Sequence, residues 1–373
     1  MGLVAARGTL TITRVEAIPY SVPYRVPGRF ASGAVERADN VLVRVHAGDL
    51  VGQAEAQPRP YTYGETQATI VAAVRQRLGP ALEGIDPLAT ELIDARCGGT
   101  PGDRVARGAV DLAVWDLVGQ VLGVPCSTLL GGFAPDVAVA HMVSFGEPAA
   151  MADEAVATAE RFGIRTFKVK VGREVDIDLA ATRAIREALP SAELYVDANR
   201  GWSQEDALRA GEPLAELGVA AIEEPVALED RRGRARLASR WLVPLVGDES
   251  CISLGHVARE LDDGAVGMVS IKVARTGFTE SRRILGLCLG RAVPVVVGSQ
   301  YEGGVGALAT VAFASAFAGT AERPAEATNF LDLADDLLVD PPEIRGGRMA
   351  PRPLPGLGIE IDEDRLEHYR IDR

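Results

Sequence analysis

The sequence predicts an α/β protein: a modified (β/α)7–8 TIM-type barrel with an N-terminal α+β capping domain. Three observations predict it. The first 130 residues run from strand-like patterns into helix-like ones with no repeating unit. From about residue 137, short apolar runs recur at intervals of roughly 25 residues, with amphipathic helical patterns between them. No glycine-rich dinucleotide loop follows any of those runs, which sets aside the doubly wound open sheet. The expected organisation is a capping or lid domain over 1–130, a barrel over 131–340, and a segment over 341–373 that returns to the cap.

In the cap, "TLTITRVEAIPYSVPY" and "NVLVRVHA" alternate as strands do. Helical patterns follow near 65–78, 87–96 and 102–123. The last opens with Asp103 as a candidate N-cap, repeats Val110, Ala113, Val114, Leu117, Val118 and Leu122 on one face, and stops at Gly123. The barrel strands are read at 137–143, 166–171, 193–197, 219–223, 243–247, 268–272 and 293–297, with a weaker eighth, "ATNFL", at 327–331. Beyond residue 340 the chain is rich in Gly and Pro, with one or two strand-like pieces.

Composition narrows the function. Of 373 residues 47% are hydrophobic, enough for a large core and a smaller second unit. Lys and Arg number 39 against 52 Asp and Glu, a net charge of −13, and no basic block stands out, so nucleic acid is not an expected partner. Cys97, Cys126, Cys251 and Cys288 are scattered without CxxC spacing, and the four histidines are unpaired, so a thiolate or imidazole zinc site is not expected. The N-terminal stretch lacks a signal-peptide run and no eighteen-residue apolar stretch occurs, so the expectation is a soluble cytoplasmic protein with no membrane partner.

In a β/α barrel the chemistry sits where the strands end. The second barrel strand, "TFKVKVG", aims Lys168 and Lys170 to one face and turns at Gly172. The third closes on Asp197, the fourth on Glu223, the fifth on Asp248, the sixth on Lys272, and the seventh runs into Ser299, Gln300 and Glu302. Any one of these acids alone reads as a helix cap. Together Asp197, Glu223 and Asp248 close successive strands, and three carboxylates in one pocket repel unless a cation joins them. Oxygen donors without histidine or thiol favour a hard ion, Mg2+ or Mn2+. Lys170 and Lys272 flank that cluster. The Lys168 and Lys170 ammonium groups, taken as about 6 Å apart at an effective dielectric of about 20, repel by roughly 3 kcal/mol, which lowers the Lys170 pKa by about 2 and suits it to proton exchange. Lys168 is thus placed to tune Lys170 or to bind substrate. The implied chemistry is proton transfer beside a carboxylate through an enediolate, with metal and lysines supplying the electrostatics.

Lys168-x-Lys170, "DAN" at Asp197, "EEP" at Glu223, "DES" at Asp248, "SIK" at Lys272 and "STLLGG" at 127–132 resemble the enolase superfamily, in particular its muconate-lactonizing-enzyme subgroup, in order along nearly the whole chain. The resemblance implies Asp197, Glu223 and Asp248 as ligands of Mg2+ or Mn2+. It implies Lys170 and Lys272 as the acid/base pair with Lys168 in support, and Asn199 and Glu249 behind them. It implies a lid from "YRVPGRFASG" and "PRPYTYGE", and self-association. The lid segments are similar to those of muconate cycloisomerases, particularly a branch that adds anti. Arg29, Arg59, Tyr61 and Tyr63 are expected to hold a dicarboxylate's second carboxylate, with Ser299, Gln300, Glu302 and Asn329 also near substrate. Related scaffolds serve o-succinylbenzoate synthases, N-acyl amino acid racemases and dipeptide epimerases. The Asp-x-Asp of the last group is not in register here, since "NFLDLADD" offers Asp332 and Asp335 instead. Many muconate lactonizing enzymes carry an acid near the eighth strand, where Asn329 is expected to fall. The reaction expected is the interconversion of cis,cis-muconate, a small dicarboxylate, and muconolactone. A binding protein on a retained barrel is the non-enzyme alternative.

Overall fold

The structure, a computed structural model, describes residues 10–31, 33–98 and 102–372; the N-terminal stretch through Thr9 and the lid residue Ser32 lie outside the described residues. Alternating Val and Ile drive the first sheet. β1 (Arg14–Phe30), β2 (Gly33–Ala47) and β3 (Leu50–Ala56) form an antiparallel meander, with Val41, Val43 and Val45 fully buried. The β1–β2 register shifts between Pro23 and Gly28, so this part of the lid segment leaves the regular ladder.

The buried face of the sheet packs on the helix Arg104–Leu122, whose apolar stripe is buried nearly throughout. Asp103 does stand at its N-cap, but its side chain makes no capping bond and pairs with Arg77 instead. The orphan amides are met from a distance. Glu65 accepts the N–H groups of Val105 at 3.0 Å and Ala106 at 3.2 Å.

The remaining chain forms a nearly closed parallel barrel. Its strands are β4 (Val137–Val143), β5 (Thr166–Lys170), β6 (Glu193–Asp197), β7 (Val219–Glu223), β8 (Leu245–Gly247), β9 (Met268–Ile271), β10 (Val295–Val297) and β11 (Ala325–Glu326). Each pairs in parallel with its neighbour from β4 to β10, and β11 pairs with β4. The eighth strand therefore lies at 325–326, ahead of the expected "ATNFL"; Asn329 belongs to the short 3-10 turn Asn329–Asp332 that follows. A final strand, β12 (Arg348–Met349), adds antiparallel to β4. The C-terminal segment then reaches the cap, where Arg370 bridges Tyr20 and Arg44 pairs with Glu363.

Cap and barrel meet beside the strand ends. Asp111, on the helix Arg104–Leu122, accepts the N–H groups of Phe278 at 2.6 Å and Thr279 at 3.1 Å, on the helix that starts after Lys272. On the same cap helix, Asp116 accepts from Leu357 at 2.6 Å and Gln53 at 2.8 Å. Burial pushes these carboxyls up against their hydrogen bonds, Asp111 to about 6 and Asp116 to about 7. A raised folded pKa means that the native state holds protons the unfolded chain has lost. The contribution of these two groups to stability is therefore fully present below the ordinary Asp pKa of 3.8 and is lost as pH rises toward 7, by up to about 1.4 kcal/mol per pH unit per group. The His256 imidazole, lowered by burial, opposes this near neutrality. Denaturant melts are expected to show lower stability at pH 8 than at pH 5, with a flatter profile in Asp116→Asn.

Candidate active site

β5 delivers Lys168 and Lys170 to the same end of the barrel, both buried. The chain can turn there because Gly172 has φ of 109°, and a Cβ at that position would stand 2.3 Å from the carbonyl oxygen of Ala198. Asp197 and Glu223 are the last residues of β6 and β7, while Asp248 and Lys272 stand one residue beyond β8 and β9. The three acids have at most 1% exposure.

The structure brings these six residues together as an ion-paired lattice. Lys168 Nζ donates to Glu223 Oε1 at 2.8 Å and Glu326 Oε1 at 3.0 Å, and lies 3.1 Å from Asp197 Oδ2. Lys170 Nζ donates to Asp197 Oδ2 and to Asn199 Oδ1, both at 2.7 Å. Lys272 Nζ meets Asp248 Oδ2 at 2.5 Å, and Arg275 Nη1 meets Asp248 Oδ1 at the same distance. Among the described residues no group of three or more His, Cys, Asp or Glu side chains is arranged to hold a metal ion; Lys168 instead bridges Asp197 and Glu223, and Lys272 and Arg275 take up Asp248.

A neighbouring like charge was expected to lower Lys170; on Lys168 and Lys272 the carboxylates act in the opposite direction. Burial does lower Lys168, but Asp197, Glu223 and Glu326 override it and hold its ammonium well above the usual value. Lys272 is likewise lowered by burial and raised further by Asp248. Opposite charges at about 3 Å outweigh a like charge farther away. Burial pushes the Asp197 carboxyl up, but Lys168 and Lys170 hold it below the usual range, and Lys272 and Arg275 do the same for Asp248. Glu223 stays raised by burial despite Lys168.

Behind this layer Asn199 Nδ2 donates to Glu249 Oε1 at 3.2 Å, and Arg200 approaches the same oxygen at 3.4 Å. Glu224 Oε1 accepts the N–H groups of Asp248 at 2.8 Å and Ser250 at 2.6 Å, which fixes the turn that carries Asp248. Asn199 (φ 41°), Arg200 (φ 68°) and Glu224 (φ 35°) all adopt left-handed backbone at these strand ends.

A pocket opens above the lattice. Of the expected substrate residues, Arg59, Tyr63, Ser299, Gln300 and Asn329 line it, along with the lysines, Asn199 and Glu249. Three others do not line it. Arg29 is exposed, and it is its backbone carbonyl that is engaged, accepting from Phe145 N at 3.0 Å. Tyr61 is 73% exposed and faces a neighbouring hollow. Glu302 is buried beneath the wall, where it accepts from Ser299 Oγ and from Gln300 N. Asp332 and Asp335 bond to Tyr301 and Tyr369, and neither lines the pocket.

Two residues were missed. Glu326 closes β11, lines the pocket, and binds Lys168, Tyr195 and the Ser299 amide. An acid thus does stand at the eighth strand, three residues before Asn329, whose side-chain amide lies 2.7 Å from Ser299 Oγ. Arg275 follows Lys272 by three positions, where the extended chain has become helical, and no single period spans that junction to signal it.

The chain is similar to known proteins along nearly its whole length. The family described as mandelate racemase / muconate lactonizing enzyme, N-terminal domain, matches residues 12–131, and the family described as enolase C-terminal domain-like matches residues 150–365. Muconate cycloisomerase 1-2 of Acinetobacter lwoffii is 31% identical over 97% of this chain and 96% of its own. An o-succinylbenzoate synthase of Geobacillus stearothermophilus is 31% identical over 92% of each. The crystal structure of a muconate lactonizing enzyme from Mucobacterium Smegmatis complexed with muconolactone superposes with a TM-score of 0.96 at 46% identity, covering 97% of this chain and all of that one.

Proposed function

Because the chain belongs to the mandelate racemase / muconate lactonizing enzyme family of the enolase superfamily, we propose that it is a divalent-metal-dependent cycloisomerase that interconverts cis,cis-muconate and muconolactone. The observation that carries the reading is the lattice itself, with strand-end carboxylates flanked by Lys170 and Lys272 under a pocket that holds Arg59.

Asp197, Glu223 and Asp248 would hold Mg2+ or Mn2+. The donor set fits a hard ion, and Glu223 Oε2 and Glu249 Oε2 are buried oxygens without a hydrogen-bond partner. Lys168 divides itself among three carboxylates, so it can yield one and keep two. When bound, the ion supplies positive charge opposite a substrate carboxylate. The chain does the rest. In the lactone-forming direction one substrate carboxylate adds to the double bond and closes the C–O bond, and the electron pair moves toward the other carboxylate as an enediolate. Lys170 or Lys272 delivers a proton to the carbon beside it while the other lysine lends its charge; the reverse reaction removes that proton and breaks the same C–O bond. Asp197 and Asn199 accept from Lys170 and keep it in place, and Lys168 shares Asp197 Oδ2 with it. The lid residues 59–63 limit water above the site.

Arg59 supports a dicarboxylate. It is the guanidinium among the described lining residues, and its Nη1 donates to the Pro58 carbonyl at 2.8 Å. Arg59→Met is expected to raise the KM for muconate about 10- to 100-fold with little change in kcat, since a charged hydrogen bond is worth roughly 1.5–3 kcal/mol. No acid of the Asp332–Asp335 stretch reaches the pocket to receive a substrate ammonium, which disfavours dipeptides. An o-succinylbenzoate synthase is the second reading. Its curated relative is as similar as the muconate one, and Met142, Gln300 and Tyr301 give a neutral wall for a bulkier acid. Measuring kcat/KM for muconate and for the o-succinylbenzoate precursor on one preparation decides between them. A ratio above about 100 in favour of muconate supports the first reading, and the reverse ratio replaces it.

A further inference from the structure

Arg275 is 2% exposed, and its fork ties together three separate pieces of chain. Nη1 donates to the Tyr63 hydroxyl at 2.8 Å and to Asp248 Oδ1 at 2.5 Å. Nη2 donates to the carbonyls of Ser270 at 3.0 Å and Cys251 at 3.4 Å, on β9 and on the turn after Asp248. The guanidinium carbon also lies 6.0 Å from the centre of the Tyr63 ring. A guanidinium is planar and rigid, so it cannot give up one partner without tilting against the others. Tyr63 ends the lid helix Pro60–Tyr63, a single turn with no side-chain N-cap, which has little stability of its own.

We propose that Arg275 is a positioning residue through which the lid helix sets the carboxylate of Asp248. The proposal rests on the metal-dependent reading above. With Tyr63 seated, the fork is locked, Oδ1 of Asp248 is held by Arg275, and Oδ2 is turned toward Lys272. With Tyr63 withdrawn, Asp248 loses that orientation, and the centre is less prepared for an ion. Seating the lid and ordering the metal ligand are then one event, and each strengthens the other.

The test uses the full-length chain, with Mn2+ binding followed by electron paramagnetic resonance and by calorimetry. Tyr63 is not itself a carboxylate and reaches Asp248 through Arg275. Tyr63→Phe is therefore expected to weaken Mn2+ binding about fivefold or more while the melting temperature holds. Arg275→Lys keeps the charge but loses the fork, and is expected to weaken binding at least as much. The double variant should be no weaker than Arg275→Lys alone. Wild-type affinity in Tyr63→Phe, or additive losses in the double variant, would overturn the proposal. If the wild-type protein binds no Mn2+, the metal reading fails, and hydrogen exchange decides the coupling by itself. Faster exchange in Tyr63→Phe at both 60–64 and 249–252 keeps it, and faster exchange at 60–64 alone ends it.

Discussion

Single replacement of Lys170 and of Lys272 by methionine is expected to give unequal losses of muconate cycloisomerase activity. The proposed cycloisomerisation delivers one proton to carbon, so on that reading one lysine is the donor and its loss should cost about 10^2- to 10^4-fold in kcat. The other lysine supplies charge, and its loss should cost roughly tenfold less. Methionine keeps most of the side-chain volume and removes the ammonium that each carboxylate accepts from. Asp248 retains Arg275, and Asp197 retains Lys168, so neither substitution strands an unpaired buried anion. Equal and complete losses would instead mark a reaction that needs two bases, as a racemase does.

The second large effect is expected from Glu223→Gln. Glu223 is fully buried, its Oε2 has no hydrogen-bond partner, and its Oε1 accepts from Lys168. Glutamine preserves the shape but removes the charge that an ion requires. Activity should fall by about 10^3-fold or more, on the scale of other losses of preorganised electrostatics. The stabilisation given by Mg2+ should vanish with it. In the wild-type protein, an ion at 100 times its Kd adds about 2.7 kcal/mol, a rise of a few degrees in melting temperature. A Glu223→Gln protein that still melts higher with Mg2+ would place the ion elsewhere.

Most of the site was legible because strand alternation is a strict rule. A period of two sends Lys168 and Lys170 to one face, and Asp197 and Glu223 close their strands as expected. Glu326 escaped because β11 pairs over two residues, too short to leave a pattern, and the apolar "ATNFL" beside it drew the assignment. Arg275 escaped because the chain changes from extended to helical between Lys272 and it, so neither period applies across the junction. Arg29 and Tyr61 fall outside the pocket because no long period aims them: Arg29 sits in the three-pair ladder that follows the register shift, and Tyr61 in a single helical turn. Asp103 was chosen as a cap on local grounds, whereas Glu65, some forty residues earlier, does the capping through a tertiary contact. The carboxylates that raise Lys168 and Lys272 were not legible for the same reason, since which carboxylate lies against which ammonium is a property of the closed barrel.

The most direct measurement is proton NMR of the purified protein with Mg2+ or Mn2+ and cis,cis-muconate in D2O. The expected result is conversion to muconolactone with deuterium at a single methylene position. Its stereochemistry, read together with the two lysine variants, identifies the face from which the proton arrives. No conversion, in a sample that a divalent ion measurably stabilises, would contradict the muconate assignment.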